Sequence, residues 1–527
     1  MLQLSRQTRS IVAEYSAQLA TLFPNAPDFE FEGQRLIQLP HGIDETKLLR
    51  NLGYVELPSP IEEHYDFPSV DGKKAFGKQV KTAELMIMQP RCFVLNGMGT
   101  GKTKAAIWAF HYLQTIGRAT RMLVTCPLST MRFTWEREIF NTIPTLRVKI
   151  LTGDAKRRHK LLAEEADVYI VNHDGEKVIH EALMRRPDID VICFDEAAKY
   201  RNARADISKS ARKLAEGRKF VWGMTGSPTP SGPTDAFGLA HLIVPHTAPK
   251  SFVRFREETM LKVTQWKWIA KRTAAETVAK LLSPAVRFTL DEIVELPPVI
   301  QREMQIEMGT RQLATYKMLK DHAAALLKEG SITAVNGGVV YSKLLQTSIG
   351  WVYGDDGKTY ELDNHRRIDA LLDIIDGTID DLRPDAKVIV FSPFISAMEG
   401  IAESLAKAKI DFATVSGATS QGERAKIFQA FQNTDKIKVL NAHPECMSHG
   451  LTLTAADTII WFGPTTKLET YEQANARITR IGQTRKQQII RLVSSDAERL
   501  AYARLASKQD LQTNILDLIA ELTGDES

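Results

Sequence analysis

The sequence predicts an α/β protein made of two consecutive doubly wound parallel sheets, preceded by a small accessory domain. Three observations carry this reading. Short apolar runs that fit buried strands alternate with helical stretches through the middle of the chain, and the pattern starts again from Arg366. The first series opens on Arg91–Thr103, RCFVLNGMGTGKT, a short apolar run followed by a glycine-rich loop and then a helical stretch. At 527 residues the chain is too long for one core, and 43% hydrophobic with 25% charged residues is an ordinary globular composition.

A net charge of +4 neither demands nor excludes nucleic acid, because a basic groove can exist on a near-neutral protein. The four cysteines, Cys92, Cys126, Cys193 and Cys446, show no CxxC spacing, and three lie in or beside predicted strands. They read as reduced core residues, which points to a cytoplasmic protein without a zinc site. The sequence shows no signal peptide and no apolar run of membrane length, so no membrane partner is expected.

Residues 1–64 are expected to form the accessory domain. Ser5 to Phe23 reads as an amphipathic helix, FEFEG with RLIQLP as a hairpin, and Thr46 to Leu52 as a short helix ending at Gly53. Residues 65–245 should form the first large domain. Gln79, ahead of the loop, carries an amide that could pair with the donor and acceptor of an adenine edge, with Phe67 or Phe76 stacking on the ring.

The loop itself is the main functional signal. Gly97, Gly99, Thr100, Gly101, Lys102 and Thr103 form a candidate nucleotide cradle. Glycines let backbone N–H groups approach phosphates, and the helix N-terminus adds partial positive charge. Lys102 would reach the β/γ-phosphates and Thr103 would ligate Mg²⁺. Asn96 occupies the place of the first glycine of GxxxxGK[ST], with little consequence expected. The competing reading is a glycine-rich turn that opens an ordinary helix.

Five apolar runs follow: RMLVTCP, VKILTG, DVYIVN, VICFDE and KFVWGMTG. VICFDE delivers Asp195 and Glu196 at a strand tip. Asp195 would hold Mg²⁺ through water, and Glu196 would orient or deprotonate an attacking water. A capping role for these acids is the alternative. TGSPTPSG at 225–232 fits a coupling loop or a plain surface turn.

Residues 246–365 read as a helical insertion and linker. Lys250, Arg254, Arg256, Lys262, Lys267, Lys271, Arg272 and Lys280 interleave with Phe252, Phe255, Trp266 and Trp268, a composition that suits nucleic acid or a solvated basic helix. Leu296-Pro297-Pro298 reads as a linker, Met304 to Lys328 as a helix, and Val339 to Ile349 as a further helix beyond an interruption at Gly337-Gly338. Residues 366–505 repeat the alternating pattern, in KVIVFSP, FATVSG, IKVLNA, TIIWFGP and QIIRLVS. A nucleotide loop in the first domain only suggests an ATP site in a cleft between the two. Gln473, Arg477 and Arg480 are spaced to share one helical face, and the arginines are finger candidates aimed at a phosphate. Residues 506–527 read as a C-terminal helix or tail.

The order of these segments resembles the Swi/Snf-like group of helicase superfamily two. Gly97–Thr103 is similar to its first motif. Cys126-Pro127-Leu128-Ser129 with Trp135-Glu136-Arg137-Glu138 is similar to its CPLS…WxxE segment. Asp195-Glu196-Ala197-Ala198, with Lys199 and Asn202, resembles DEAH followed by K..N, and Thr225-Gly226-Ser227-Pro228 resembles TG[TS]P. Val388–Pro393, Arg424 with Phe431, Gly450–Asp457, and Gln473, Arg477, Arg480 with Ile481-Gly482-Gln483 resemble the motifs of the second half. Ala198 departs from the usual His, which puts the coupling of hydrolysis to substrate in doubt. The compact length and the HPECMSHGLTL wording look most like small phage and bacterial members, which would place a phage-encoded protein in the host cytoplasm.

The resemblance implies two tandem RecA-like parallel-sheet domains with helical insertions and a small N-terminal accessory domain. It also implies a monomer that uses ATP and Mg²⁺ to translocate on duplex or branched DNA, with unwinding, annealing or branch migration as modes. An RNA-dependent helicase is the nearest rival. A nucleotide-gated nucleic-acid-binding adaptor is the alternative from another class, and Ala198 is the feature that favours it.

Overall fold

The computed structural model describes residues 2–264, 268–328, 334–354, 356–379, 383–447, 452–507 and 522. Trp266, Lys267, Gly450, Leu451 and most of the tail expected at 506–527 lie outside the described residues. The chain divides into two units, 1–293 and 294–527. The stretch 246–365 is thus shared between them.

The first unit begins with a four-stranded antiparallel sheet in the order Leu2–Ser5, Ser10–Glu14, Gln34–Pro40, Asp28–Phe31. The last two strands form the expected hairpin. The helix expected over Ser5 to Phe23 is corrected to two strands, with only Ala17–Leu22 helical. Ile11 and Ala13 alternate into a small core with Leu19, Ile37 and Leu39, so strand pairing overrides the weak helical spacing. The helix expected over Thr46 to Leu52 spans Ile43–Asn51, and Gly53 follows at φ 103.

The large sheet of this unit has seven strands, all parallel. Its order is Ala285–Val286, Arg91–Val94, Phe220–Met224, Ile189–Asp195, Arg121–Cys126, Val168–Asn172, Val148–Leu151. The five inner strands are buried on both faces, which is why they read as continuous apolar runs. One face packs on Trp108, Phe110 and Trp135, and the other on Tyr200, Leu214 and Leu239. Cys92, Cys126 and Cys193 are free and buried in this sheet, and burial pushes their thiols up, so they stay protonated.

The second unit holds six parallel strands in the order Val299–Gln305, Gln487–Val493, Thr458–Trp461, Val388–Phe391, Val439–Ala442, Phe412–Val415. Both large sheets therefore match the predicted α/β class. The strand Val299–Gln305 corrects the helix expected from Met304: the chain leaves Pro297-Pro298 extended and pairs along Gln487–Val493, and the helix starts only at Thr310. The helix Ala334–Ile349 runs through Gly337 and Gly338 without a break. Burial of Tyr341, Leu344 and Leu345 outweighs the cost of about 1 kcal/mol per helical glycine. Among the described residues, no helix is long and apolar enough to cross a membrane.

Candidate nucleotide site and its surroundings

In the first unit, three motifs sit at the tips of three neighbouring strands. Arg91–Val94 runs into the glycine loop, Phe220–Met224 into Thr225-Gly226-Ser227-Pro228, and Ile189–Asp195 into Glu196. Parallel pairing brings all three to the carboxyl edge of the sheet, where ligands bind in open α/β folds. A Cβ on Gly226 would stand 3.7 Å from Asn96 O and from Met98 Cγ, so the small-residue turn lies directly against the glycine loop.

The loop holds left-handed glycines at Gly99 (φ 73) and Gly101 (φ 83), and the helix Lys102–Thr115 starts behind it. Lys102 and Thr103 thus occupy the first helical turn. The Lys102 ammonium donates to Asn96 O at 2.8 Å and to Gly97 O at 2.9 Å, so it arches over the loop. Gln79 is buried, and backbone engages its amide at both ends: Nε2 donates to Thr100 O at 3.1 Å and Oε1 accepts from Phe76 N at 3.3 Å. A Cβ on Gly101 would come within 2.2 Å of Gln79 Nε2, so Gln79 and the loop fit only because residue 101 has no side chain.

Asp195 is buried at its strand tip. Its Oδ2 accepts the Trp135 indole N–H at 2.8 Å, and its Oδ1 accepts the Glu196 N–H at 3.1 Å. Burial raises the Asp195 pKa, while the Trp135 bond and the Lys102 charge oppose that rise and favour the carboxylate. Trp135 lies in a π-helical turn, Met131–Glu136. Glu196 sits at φ 50, ψ 51, a left-handed conformation that is uncommon for a non-glycine residue and turns the chain sharply off the strand. His173 donates from Nε2 to Asp195 O at 2.8 Å, and burial lowers its pKa to about 4, so it is neutral. Sequence reasoning passed over His173; its place directly after the strand Val168–Asn172 was the available signal.

In the second unit, Gln473 ends up on the helix Leu468–Asn475, but Arg477 and Arg480 lie beyond its end. The expected shared helical face is therefore corrected. The chain leaves the helix after Asn475, and each arginine folds back on the backbone: Arg477 Nε donates to Gln473 O at 2.8 Å and Arg480 Nε to Ala476 O at 2.9 Å. Gln473 Nε2 donates to Glu469 Oε1 at 2.9 Å. Arg477 is buried; Arg480 keeps part of its side chain accessible, although its protein surroundings lower its pKa to about 10. The basic segment of the first unit forms the helix Phe252–Thr259 and a small hairpin, with the Arg256 guanidinium 4.3 Å from the Trp268 ring centre.

Comparison with known families decides the assignment. The SNF2-related domain matches residues 75–348, more than half of the chain, and the helicase conserved C-terminal domain matches residues 366–482. The chain belongs to the SNF2-related family. Its membership makes it an ATP-using enzyme of the helicase class. It is 26% identical to protein p41 of Acyrthosiphon pisum secondary endosymbiont phage 1, over 81% of this chain and 94% of that one. It is 23% identical to the Drosophila melanogaster SWI/SNF-related matrix-associated actin-dependent regulator of chromatin subfamily A-like protein 1, over 95% of this chain and 66% of the relative. An uncharacterized ATP-dependent helicase of Mycoplasma pneumoniae is 24% identical over 81% of this chain, which spans only 41% of that protein. Among solved structures, the Sulfolobus solfataricus SWI2/SNF2 ATPase core in complex with dsDNA aligns over 88% of this SNF2-related chain and 96% of that one, at 22% identity and a TM-score of 0.39.

Proposed function

We propose that this SNF2-related chain is a DNA-dependent ATPase that converts hydrolysis into translocation on duplex or branched DNA. The observation that carries the reading is the convergence of the glycine loop, Thr225-Gly226-Ser227-Pro228 and Asp195-Glu196 on adjacent strand tips. The donor set fits a Mg²⁺-nucleotide: left-handed glycines at a helix N-terminus, an ammonium, a first-turn hydroxyl and a buried carboxylate.

In this reading Gly97, Gly99, Thr100 and Gly101 bind the phosphates through backbone N–H groups, and Lys102 exchanges its loop carbonyls for phosphate oxygens. Thr103 and Asp195 would hold Mg²⁺, which supplies charge neutralisation at the phosphates. Glu196 orients the attacking water and takes its proton. Gln473, Arg477 and Arg480 are assigned to the hydrolysis step, with the arginines as finger candidates, on the strength of the motif they resemble. The basic segment around Arg254, Arg256 and Trp268 is a candidate for backbone contacts to nucleic acid.

The test is an ATPase panel with duplex DNA, forked DNA, single-stranded DNA and RNA, run beside triplex displacement. Strong stimulation by duplex or forked DNA with displacement activity is expected, and Lys102→Ala should lose turnover while keeping its fold. Stimulation by RNA alone would replace DNA by RNA as the substrate. Turnover of Lys102→Ala at the wild-type rate would remove the loop from the mechanism.

A further inference from the structure

Asn96, the residue in place of the usual first glycine, is almost fully buried, and both ends of its amide are engaged. Its Nδ2 donates to Thr82 Oγ1 at 2.9 Å, and its Oδ1 accepts the Phe288 N–H at 2.9 Å. Phe288 is held from the other side as well, because Gly97 N–H donates to Phe288 O at 2.8 Å. The same ladder continues down the strand, from Leu95 N–H to Val286 O and from Phe93 N–H to Pro284 O. The Lys78 ammonium lies 4.7 Å from the centre of the Phe288 ring. Residues 284–288 thus form an edge strip bonded to the root of the glycine loop. Beyond Phe288, a turn closed by Thr289 N–H to Glu292 Oε2 leads to Ile293, the last residue of the first unit.

The two carbonyls that hold Lys102 belong to Asn96 and Gly97, the two residues that grip Phe288. We propose that Asn96 and Phe288 form a latch that couples occupancy of the phosphate loop to the segment leading out of the first unit. Asn96 acts here as a positioning residue: it touches no reacting atom and works through Lys102 on one side and Phe288 on the other. When Lys102 turns to a phosphate, its bonds to Asn96 O and Gly97 O are lost, the loop root is released, and the hold on Phe288 weakens. An unsubstituted glycine at this position would lack the side-chain arm. An aspartate would keep an acceptor for the Phe288 N–H. The inference rests on the nucleotide reading of Gly97–Thr103.

The test is hydrogen exchange on the full chain, with and without MgADP and beryllium fluoride, read at loop amides 98–103 and at Phe288 within residues 286–293. The expected result is opposite signs: slower exchange in the loop and exchange at Phe288 faster by about fivefold, the factor that accompanies loss of one backbone-type hydrogen bond. Asn96→Ala should exchange fast at Phe288 without nucleotide and show no further change with it, while Asn96→Asp should retain the wild-type response. A protected loop with unchanged exchange at Phe288 in the wild type would overturn the latch and leave the nucleotide site intact. No protection in the loop would remove the nucleotide reading and the latch together. The wild-type comparison stands even if Asn96→Ala does not fold, and loss of the response in Asn96→Asp would also overturn the proposal.

Discussion

Trp135 donates its indole N–H to Oδ2 of Asp195 over 2.8 Å, and both side chains are buried. The bond joins two segments 60 positions apart in the chain. It matters because burial works against the charged form of Asp195, and the Mg²⁺ role proposed for it requires the ionised carboxyl.

Trp135→Phe keeps the bulk and removes the donor. The Asp195 pKa should then rise further, since the lost bond was one of the influences holding it down. The acidic limb of the ATPase pH profile should move to higher pH by about one to two units, the equivalent of a charge-assisted hydrogen bond of about 1.5–3 kcal/mol. A pH–rate profile of wild type and variant checks this; superimposable profiles would show that the indole bond does not tune Asp195.

Gly101→Ala should raise the KM for ATP more than about tenfold while the fold persists, because a left-handed alanine costs about 1–2 kcal/mol and its Cβ displaces Gln79 from Thr100 O. The double variant Gly101→Ala with Gln79→Ala should recover only part of the loss, since the backbone strain remains. Gln79→Ala alone separates two roles. If Gln79 only braces the loop, the KM values for ATP and GTP rise together; if it also reads adenine, ATP loses its advantage over GTP.

His173 is neutral in the folded protein, with a pKa pulled from 6.5 down to about 4 by burial. Above pH 6.5 neither folded nor unfolded chain binds this proton, so no penalty arises. Between pH 6.5 and 4 the unfolded chain takes the proton first, and stability falls as pH falls, by up to about 3 kcal/mol. His173→Gln should remove this part of the slope. Urea unfolding at pH 7, 5.5 and 4.5 measures the difference between the two proteins, and identical slopes would contradict it.

Arg367 and Glu498 form a fully buried ion pair in the second unit, at 2.6 Å, and the guanidinium also donates to the carbonyls of Ser348, Phe462 and Leu492. Glu498→Ala would leave that charge without its counter-ion and should cost about 3–5 kcal/mol of stability. The expected signature in a thermal melt is a lowered transition for the second unit, with nucleotide binding at the glycine loop retained. An unchanged melt would show that the carbonyls alone satisfy Arg367.

How much was legible in advance depended on whether a feature is local. The large sheets were read from apolar runs because strands buried on both faces need continuous hydrophobic sequence, as in Val191–Phe194 and Val388–Phe391. The glycine loop and Asp195-Glu196 were read from spacing, because phosphate and metal chemistry demand particular residue types in a short stretch. The strand Val299–Gln305 was missed because its partner, Gln487–Val493, lies far along the chain. The strands Leu2–Ser5 and Ser10–Glu14 were missed because a small antiparallel sheet needs few apolar residues, and those in Ser5 to Phe23 also fit a helix.

By itself, then, the sequence determined the α/β class, the two-sheet plan, the loop Gly97–Thr103 and the acidic pair at Asp195-Glu196. Tertiary structure alone decided which groups surround them: Trp135 and His173 on Asp195, Gln79 against Gly101, and Asn96 gripping Phe288. The physical reason is that local chemistry is set by neighbours in sequence, whereas burial, hydrogen-bond partners and pKa are set by neighbours in space. Asn96 shows the difference most plainly. In sequence it is a harmless departure from a glycine motif; in the fold it is a buried amide joining the glycine loop to Phe288, 192 positions away.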